Sequence, residues 1–258
     1  MRWTERQQAM LQAMGIRLFE PATPQRDRSP PAEPSPPPLP PPLPPPAPAA
    51  RPASKPDAPH RPDVATLDWA ALREAVASCR ACKLCESRQQ TVFGVGHPQA
   101  QWMIVGEAPG EQEDRQGEPF VGPAGQLLDN MLRAIGLTRG EAAPARQVFI
   151  ANTLKCRPPK NRNPEPAETA QCAPFLERQI ALVRPRIILA MGRFAAQALL
   201  ASDEPLGRLR GRVHQYRGVP VVVTYHPAYL LRTPTDKARA WEDLCLAASV
   251  VAVAAEAT

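Results

Sequence analysis

Trp102-Met103-Ile104-Val105 is a short apolar run that breaks into Gly106-Glu107-Ala108-Pro109-Gly110, and this junction decides the fold. A run this short, with no polar alternation, predicts a strand buried on both faces. The Gly/Pro-rich continuation predicts a loop whose backbone can approach a ligand closely before the chain enters a helix. It is not a Walker loop, because no Gly-Lys-Ser/Thr follows. Three more such runs lie at 148–151, 187–190 and 221–224. Amphipathic helical patterns fill the chain between and around them, at 66–78, 124–135, 166–183, 193–200 and 235–253. Pro166 suits the first turn of its helix, and Gly136 suits the position just past the end of another. Strands alternating with helices predict an α/β protein: a three-layer α/β/α sandwich around a central four-stranded parallel sheet. Ligands of such sheets bind beyond the carboxyl ends of the strands, so the residues that follow each run are the candidates.

Outward from this core, proline divides the chain of 258 residues. Residues 21–62 are mostly Pro, Ala and polar residues, a composition that cannot bury a core and predicts a disordered, polyproline-II-like linker. Before it, residues 1–20 carry a partial helical stripe of Met10, Leu11, Met14, Ile16, Leu18 and Phe19. An apolar island too short to fold alone, at the end of a spacer, predicts a docking peptide at 4–20. Residues 63–258 have the length of one globular domain. The net charge of +6 and pI near 9.2 favour a polyanionic partner, though only weakly. The N-terminus lacks a signal-peptide core, and the late apolar run 247–255 is shorter than the roughly 20 residues a membrane span needs. A cytoplasmic protein, with no membrane association, is expected.

Two kinds of chemistry gather near the strand ends. The first is polar: Gly106-Glu107-Ala108 after one strand, Asn152 at the end of another, and Tyr225-His226-Pro227 after the last. Singly, a strand-end Asn is more often a cap and a lone His more often structural. Three on one edge make a site. The second is sulfur: Cys79-x-x-Cys82, then Cys156 and Cys172 separated by 15 residues, with Cys156 embedded in a basic loop. Four converging thiolates suit an iron–sulfur cluster or zinc, and in a reducing compartment they argue against disulfides. Cys85 extends the first pair into part of a ferredoxin-like spacing.

Gly106-Glu-Ala-Pro-Gly110 with Pro119-Phe120-Val-Gly122, Asn152 four residues before Cys156, and His226-Pro-Ala-Tyr-Leu-Leu-Arg232 together resemble the motifs of the family 4 uracil-DNA glycosylases, the iron–sulfur branch of that superfamily. The resemblance covers nearly all of 72–246. It implies an enzyme that flips uracil out of DNA and hydrolyses its glycosidic bond, leaving an abasic site. By the same resemblance Asn152 reads the uracil edge, Phe120 stacks on the base, Ala108 contributes to the substrate pocket, and His226 hydrogen-bonds uracil O2 as charge develops there. Related families hold the attacking water with an Asp in the first motif; here Glu107 is the nearest carboxylate. Glu113 is the candidate for excluding the thymine methyl. A [4Fe-4S] cluster would rest on Cys79, Cys82, Cys156 and Cys172, with Cys85 and Cys245 left as spare thiols. Leu230 or Leu231 is placed to wedge into the gap left by the flipped nucleotide. Arg232, Arg210 and Arg212 are candidates for phosphate contacts.

Residues 8–19 loosely resemble the N-terminal peptide of the psi subunit of the bacterial replicative clamp loader, without the Trp that family carries near Phe19. The resemblance implies docking to the replisome or clamp loader. A monomeric, nucleoid-associated protein with uracil-containing DNA as its substrate is expected. Three other readings compete. Some relatives trap DNA covalently through a histidine in an Arg-Ile-His loop, but 155–164 has none. A non-catalytic, replisome-tethered uracil- or DNA-binding module is a second, and electron transfer through the cluster a third.

Overall fold

The computed structural model describes residues 63–256. The docking peptide expected at 1–20 and the linker expected at 21–62 lie outside the described residues. After one 3₁₀ turn at Val64–Thr66 come α1 (Trp69–Ala77), α2 (Leu84–Ser87), β1 (Val95–Gly96), β2 (Trp102–Gly106), α3 (Glu111–Gln116), α4 (Gly122–Ala134), β3 (Val148–Asn152) and α5 (Pro166–Val183). Then follow β4 (Ile187–Met191), α6 (Arg193–Leu200), α7 (Leu206–Leu209), β5 (Val213–Tyr216), β6 (Val219–Thr224), α8 (Pro227–Arg232) and α9 (Lys237–Glu256).

All four apolar runs are strands, and they pair in parallel in the order β3-β2-β4-β6. The sheet has six strands rather than four, because β1 and β5 add antiparallel edges. Neither edge strand carries an apolar run. β1 is two residues long and contains Gly96, and β5 alternates between exposed and half-buried positions. The pattern expected over 66–78 divides into the 3₁₀ turn and α1, since Asp68 accepts the N–H of Ala71 as an N-cap and starts the helix afresh.

Alternation along the buried strands builds both cores. Met103, Val105, Phe149, Ala151, Ile188 and Ala190 face one side of the sheet, against α1, α5 and α6. Trp102, Ile104, Val148, Ile150, Ile187 and Leu189 face the other, against α4 and α9. Period-two side chains buried on both faces are what a helix-covered parallel sheet demands. Each fully buried aliphatic contributes about 1.5–3 kcal/mol, so truncating Ile104 to Ala costs about 2–5 kcal/mol including the cavity it leaves. α5 starts cleanly: Glu165 and Glu168 form a capping box, and Pro166 occupies the first turn. This frame puts the carboxyl ends of β2, β3, β4 and β6 on one edge.

Candidate active site

The residues that follow those four strands enclose a cavity of about 700 Å³. β2 supplies Glu107 and Ala108, β3 supplies Asn152, and the connection after β6 supplies His226 and Arg232, with Glu113 and Phe120 arriving from the long loop after β2. The structure therefore brings seven of the sequence-predicted residues to one cavity. Residues with no individual role assigned from sequence also line it: Gly192, Arg193 and Phe194 after β4, and Tyr225 and Tyr229 around α8. The signal for the first group was present. The apolar run 187–190 ends at a strand edge like the others, and the carboxyl-end rule applies to it equally.

Close approach sets the floor of the cavity. A Cβ on Gly106 would lie 2.4 Å from Asn152 Oδ1 and 2.5 Å from Phe120 Cζ, so only glycine lets these two side chains meet over the end of β2. Phe120 is buried and holds φ at 54°, a left-handed conformation that costs a non-glycine residue energy. The turn is kept by its surroundings. Arg139 Nη1 donates to the Pro119 carbonyl at 2.9 Å, and a Cβ on Gly125 would fall 1.6 Å from the Phe120 carbonyl oxygen. The Phe120 ring stacks on His226, with centroids 5.2 Å apart.

His226 is the N-cap of α8, and its Nδ1 accepts the N–H of Ala228 at 3.2 Å. That bond fixes the tautomer: the proton sits on Nε2, which becomes a donor. Burial, with the positive charge of Arg232 adding to it, pulls the imidazole down to about 4, so it is neutral at physiological pH. Glu107 is half-buried, and burial pushes its carboxyl above the ordinary range while Arg193 opposes the shift. Its main-chain oxygen accepts from Leu154 N and Thr153 Oγ1, locking the β2 and β3 loops together.

Asn152 is 2% exposed, and its carbonyl accepts from Lys155 Nζ at 2.7 Å. The Lys155 side chain is buried, and burial draws its amine down to about 8 while the nearby Cys172 and Cys156 sulfurs push the other way.

The sulfurs form a second locus. Cys79, Cys82, Cys85, Cys156 and Cys172 line one cavity together with Leu84, Arg88 and Leu154. Arg88 Nη1 donates to Cys156 Sγ at 3.0 Å, and the Lys155 N–H donates to Cys172 Sγ at 3.3 Å. Among the described residues no group of three or more His, Cys, Asp or Glu side chains is arranged to hold a single metal ion. Sulfurs set around one cavity, two of them accepting N–H groups, are a donor set that could hold a metal cluster. Cys245 stands apart, exposed on α9.

The DNA-contact candidates separate sharply. Leu230 is 1% exposed and packs inward, so of the two leucines Leu231, at 44%, is the one that reaches solvent. Arg210 turns inward too: it pairs with buried Asp243 at 3.1 Å, and its guanidinium lies 5.3 Å from the Tyr225 ring centre. Arg212 is exposed and pairs with Glu204, while Arg232 is exposed at the cavity rim. Among the described residues no helix is long and apolar enough to cross a membrane.

Comparison with known proteins places these features in a family. The profile described as the uracil DNA glycosylase superfamily matches residues 93–245. A protein named type-4 uracil-DNA glycosylase from Sulfurisphaera tokodaii is 44% identical over 172 residues, covering 63% of this chain and 76% of that one. One of the same name from Archaeoglobus fulgidus is 43% identical over 167 residues, covering 62% of this chain and 81% of its own length. A type-5 uracil-DNA glycosylase from Pyrobaculum aerophilum is 35% identical over 146 residues, 52% of this chain and 64% of that protein.

Proposed function

The chain belongs to the uracil DNA glycosylase superfamily, and from that premise we infer that it is a uracil-DNA glycosylase of base-excision repair, removing uracil by hydrolysis of the glycosidic bond. The observation that carries the reading is the meeting of Asn152, Phe120 and His226 in one cavity at the carboxyl edge of the sheet. The uracil must leave the stack to reach this cavity, at a cost of a few kcal/mol. Stacking on Phe120 returns about 1–3 kcal/mol of that cost. The Asn152 amide accepts from uracil N3–H and donates to O4. Cytosine presents the opposite pattern and would leave both partners unpaired in a buried site.

Bond cleavage moves negative charge onto the uracil ring. His226 Nε2–H donates to O2 as that charge grows, and it does so as a neutral imidazole, so the stabilisation is electrostatic rather than a proton transfer. Glu107 takes the part of positioning water, or of stabilising positive charge on the sugar. Glu113, in the lining of the cavity, takes the space beside C5 where a thymine methyl would sit. Arg232 and Arg212 contact backbone phosphates and Leu231 fills the vacated stack.

The cysteine nest suits a [4Fe-4S] cluster on Cys79, Cys82, Cys156 and Cys172. The cluster supplies a cross-link, not a reaction step. It ties the segment around α2 to the loop that carries Pro158 and Arg162 to the cavity wall. In the same reading, 63–258 acts as a monomeric catalytic domain and residues 4–20 dock it to a replication partner in the nucleoid through the 21–62 linker.

The test is release of uracil from a single-stranded oligonucleotide with one internal deoxyuridine, read by alkaline strand cleavage, with protein purified without oxygen. Cleavage at that position and none at a thymidine control is the expected result. An intact, iron-loaded protein that leaves the strand whole would point to the non-catalytic binding module instead.

A further inference from the structure

Lys155 and Gln179 are buried polar side chains that the reaction itself does not use, and both lie behind the base-reading residue. Lys155 Nζ donates to the Asn152 carbonyl at 2.7 Å and to Gln179 Oε1 at 2.6 Å. Gln179 Nε2 in turn donates to the Phe93 carbonyl at 2.8 Å. A continuous line of hydrogen bonds thus runs from the segment before β1, through α5, to the last residue of β3. At its main chain, Lys155 is tied again: its N–H meets Cys172 Sγ and its carbonyl accepts from Val92 N at 2.8 Å.

An ammonium is an expensive way to satisfy one carbonyl. A fully buried charge costs several kcal/mol even when paired, whereas a neutral donor or a water would serve a carbonyl that needed only a partner. What the ammonium adds is a rigid, multiply bonded anchor. The opposite side of Asn152 has no slack, since its Oδ1 abuts Gly106 so closely that no Cβ fits there. Asn152 is therefore held at both ends, its side chain by the glycine contact and its main-chain carbonyl by the ammonium.

We propose that Lys155, braced by Gln179, is a positioning residue that fixes the Asn152 main chain and so sets the register in which its amide meets the uracil edge, carrying the geometry of the cysteine nest to the base pocket. The proposal rests on Asn152 being the base reader. A displacement of about 1 Å at a positioning group is worth on the order of 100-fold in rate, so the effect is measurable without unfolding the protein.

The experiment uses the full chain, prepared without oxygen, as Lys155→Met, Gln179→Met, Asn152→Ala and the Asn152→Ala/Lys155→Met double variant. Three readouts are taken: iron content with visible absorbance, affinity for an oligonucleotide carrying a non-cleavable abasic analogue, and single-turnover uracil release. The expected result for Lys155→Met is an excision rate lower by about 30–100-fold with abasic-site affinity within about threefold of the parent. Gln179→Met, which removes hydrogen bonds to Lys155 and to the Phe93 carbonyl rather than to a sulfur, loses about 3–10-fold and decides the matter if Lys155→Met sheds its iron. The double variant is no slower than Asn152→Ala alone, because Lys155 acts only through Asn152. Fully active Lys155→Met or, where that variant sheds iron, fully active Gln179→Met overturns the proposal. So does a double variant slower by the product of the two single losses. An Asn152→Ala protein that still excises uracil would instead sink the reading of Asn152 itself.

Discussion

At the end of β3, Asn152 faces an open cavity of about 700 Å³, while four residues further on Cys156 has its sulfur taken by Arg88 Nη1. The two loci share one connection, 153–165, yet their chemistry differs. In the cavity, burial shifts two groups toward their neutral forms: His226 falls to about 4 and Glu107 rises. Around the sulfurs, N–H groups converge as they do on a bound anionic centre. A site that must admit and release a base keeps polar groups pre-aimed but unfilled. A site that holds a permanent cross-link has its donors already committed. If the cysteine nest is architecture for the pocket, as proposed above, changes in the two should fail differently.

The sharpest way to break that contrast is Asn152→Ala. Uracil release should fall by about 10²–10³-fold, the loss typical of one pre-aimed donor in a closed site. Iron content and melting temperature should stay close to the parent's. Loss of iron in this variant would mean that the pocket and the nest are one structural unit and that the contrast is false.

His226 sharpens the comparison through pH. His226→Ala should lose about 10²-fold in single-turnover rate. In the parent, the folded imidazole titrates near 4 against an ordinary 6.5, so the unfolded chain binds the extra proton first as pH falls. Stability from this group is therefore complete above pH 6.5 and is lost on acidification, at about 1.4 kcal/mol per pH unit down to about 4. Denaturant titrations from pH 7.5 to 4.5 should show a steeper acid loss in the parent than in His226→Ala. Parallel curves would mean that the imidazole has the same pKa in the folded protein as in the unfolded chain.

Much of this architecture could be read in advance, and the exceptions have physical causes. The four parallel strands were legible because burial on both faces writes an uninterrupted apolar run. The residues at their ends that line the cavity were legible because the carboxyl-end rule needs only the strands. Edge strand β5 was not, since Val213 and His214 directly follow Arg210 and Arg212, which the sequence offers as phosphate contacts. The partner of Arg210, Asp243, is 33 residues away on α9, a pairing that no local pattern announces. Leu230 and Leu231 are neighbours with opposite fates, because a short helix turns about 100° per residue and sends one inward.

From the other side of the comparison, Cys172→Ala should release the nest. Losing one member of a metal-binding cysteine set removes binding energy that is also folding energy. The expected result is iron loss, a lower melting temperature and new protease cleavage within 153–172, with uracil release falling about tenfold or more as the cavity wall loosens. A Cys172→Ala protein that kept its iron and its protease resistance would take this cysteine out of the ligand set.

The smallest expected effect tests whether the nest tunes its occupant as well as holding it. Arg88 reaches Cys156 Sγ through Nη1 and the Ala77 carbonyl through Nη2, so it bridges the sulfur and the end of α1. A hydrogen bond from a charged donor to a ligand sulfur draws electron density from the centre and favours its reduced form. Arg88→Met keeps most of the stem but removes both donors, at a cost of about 1–2 kcal/mol in stability. The reduction potential of the iron–sulfur centre should then move negative, by tens of millivolts at this order of energy, while uracil release changes less than about threefold. The two readouts must separate for the comparison to hold. If excision instead fell in step with the potential, the cluster would belong to the reaction and the cysteine nest would have to be read as part of the active site.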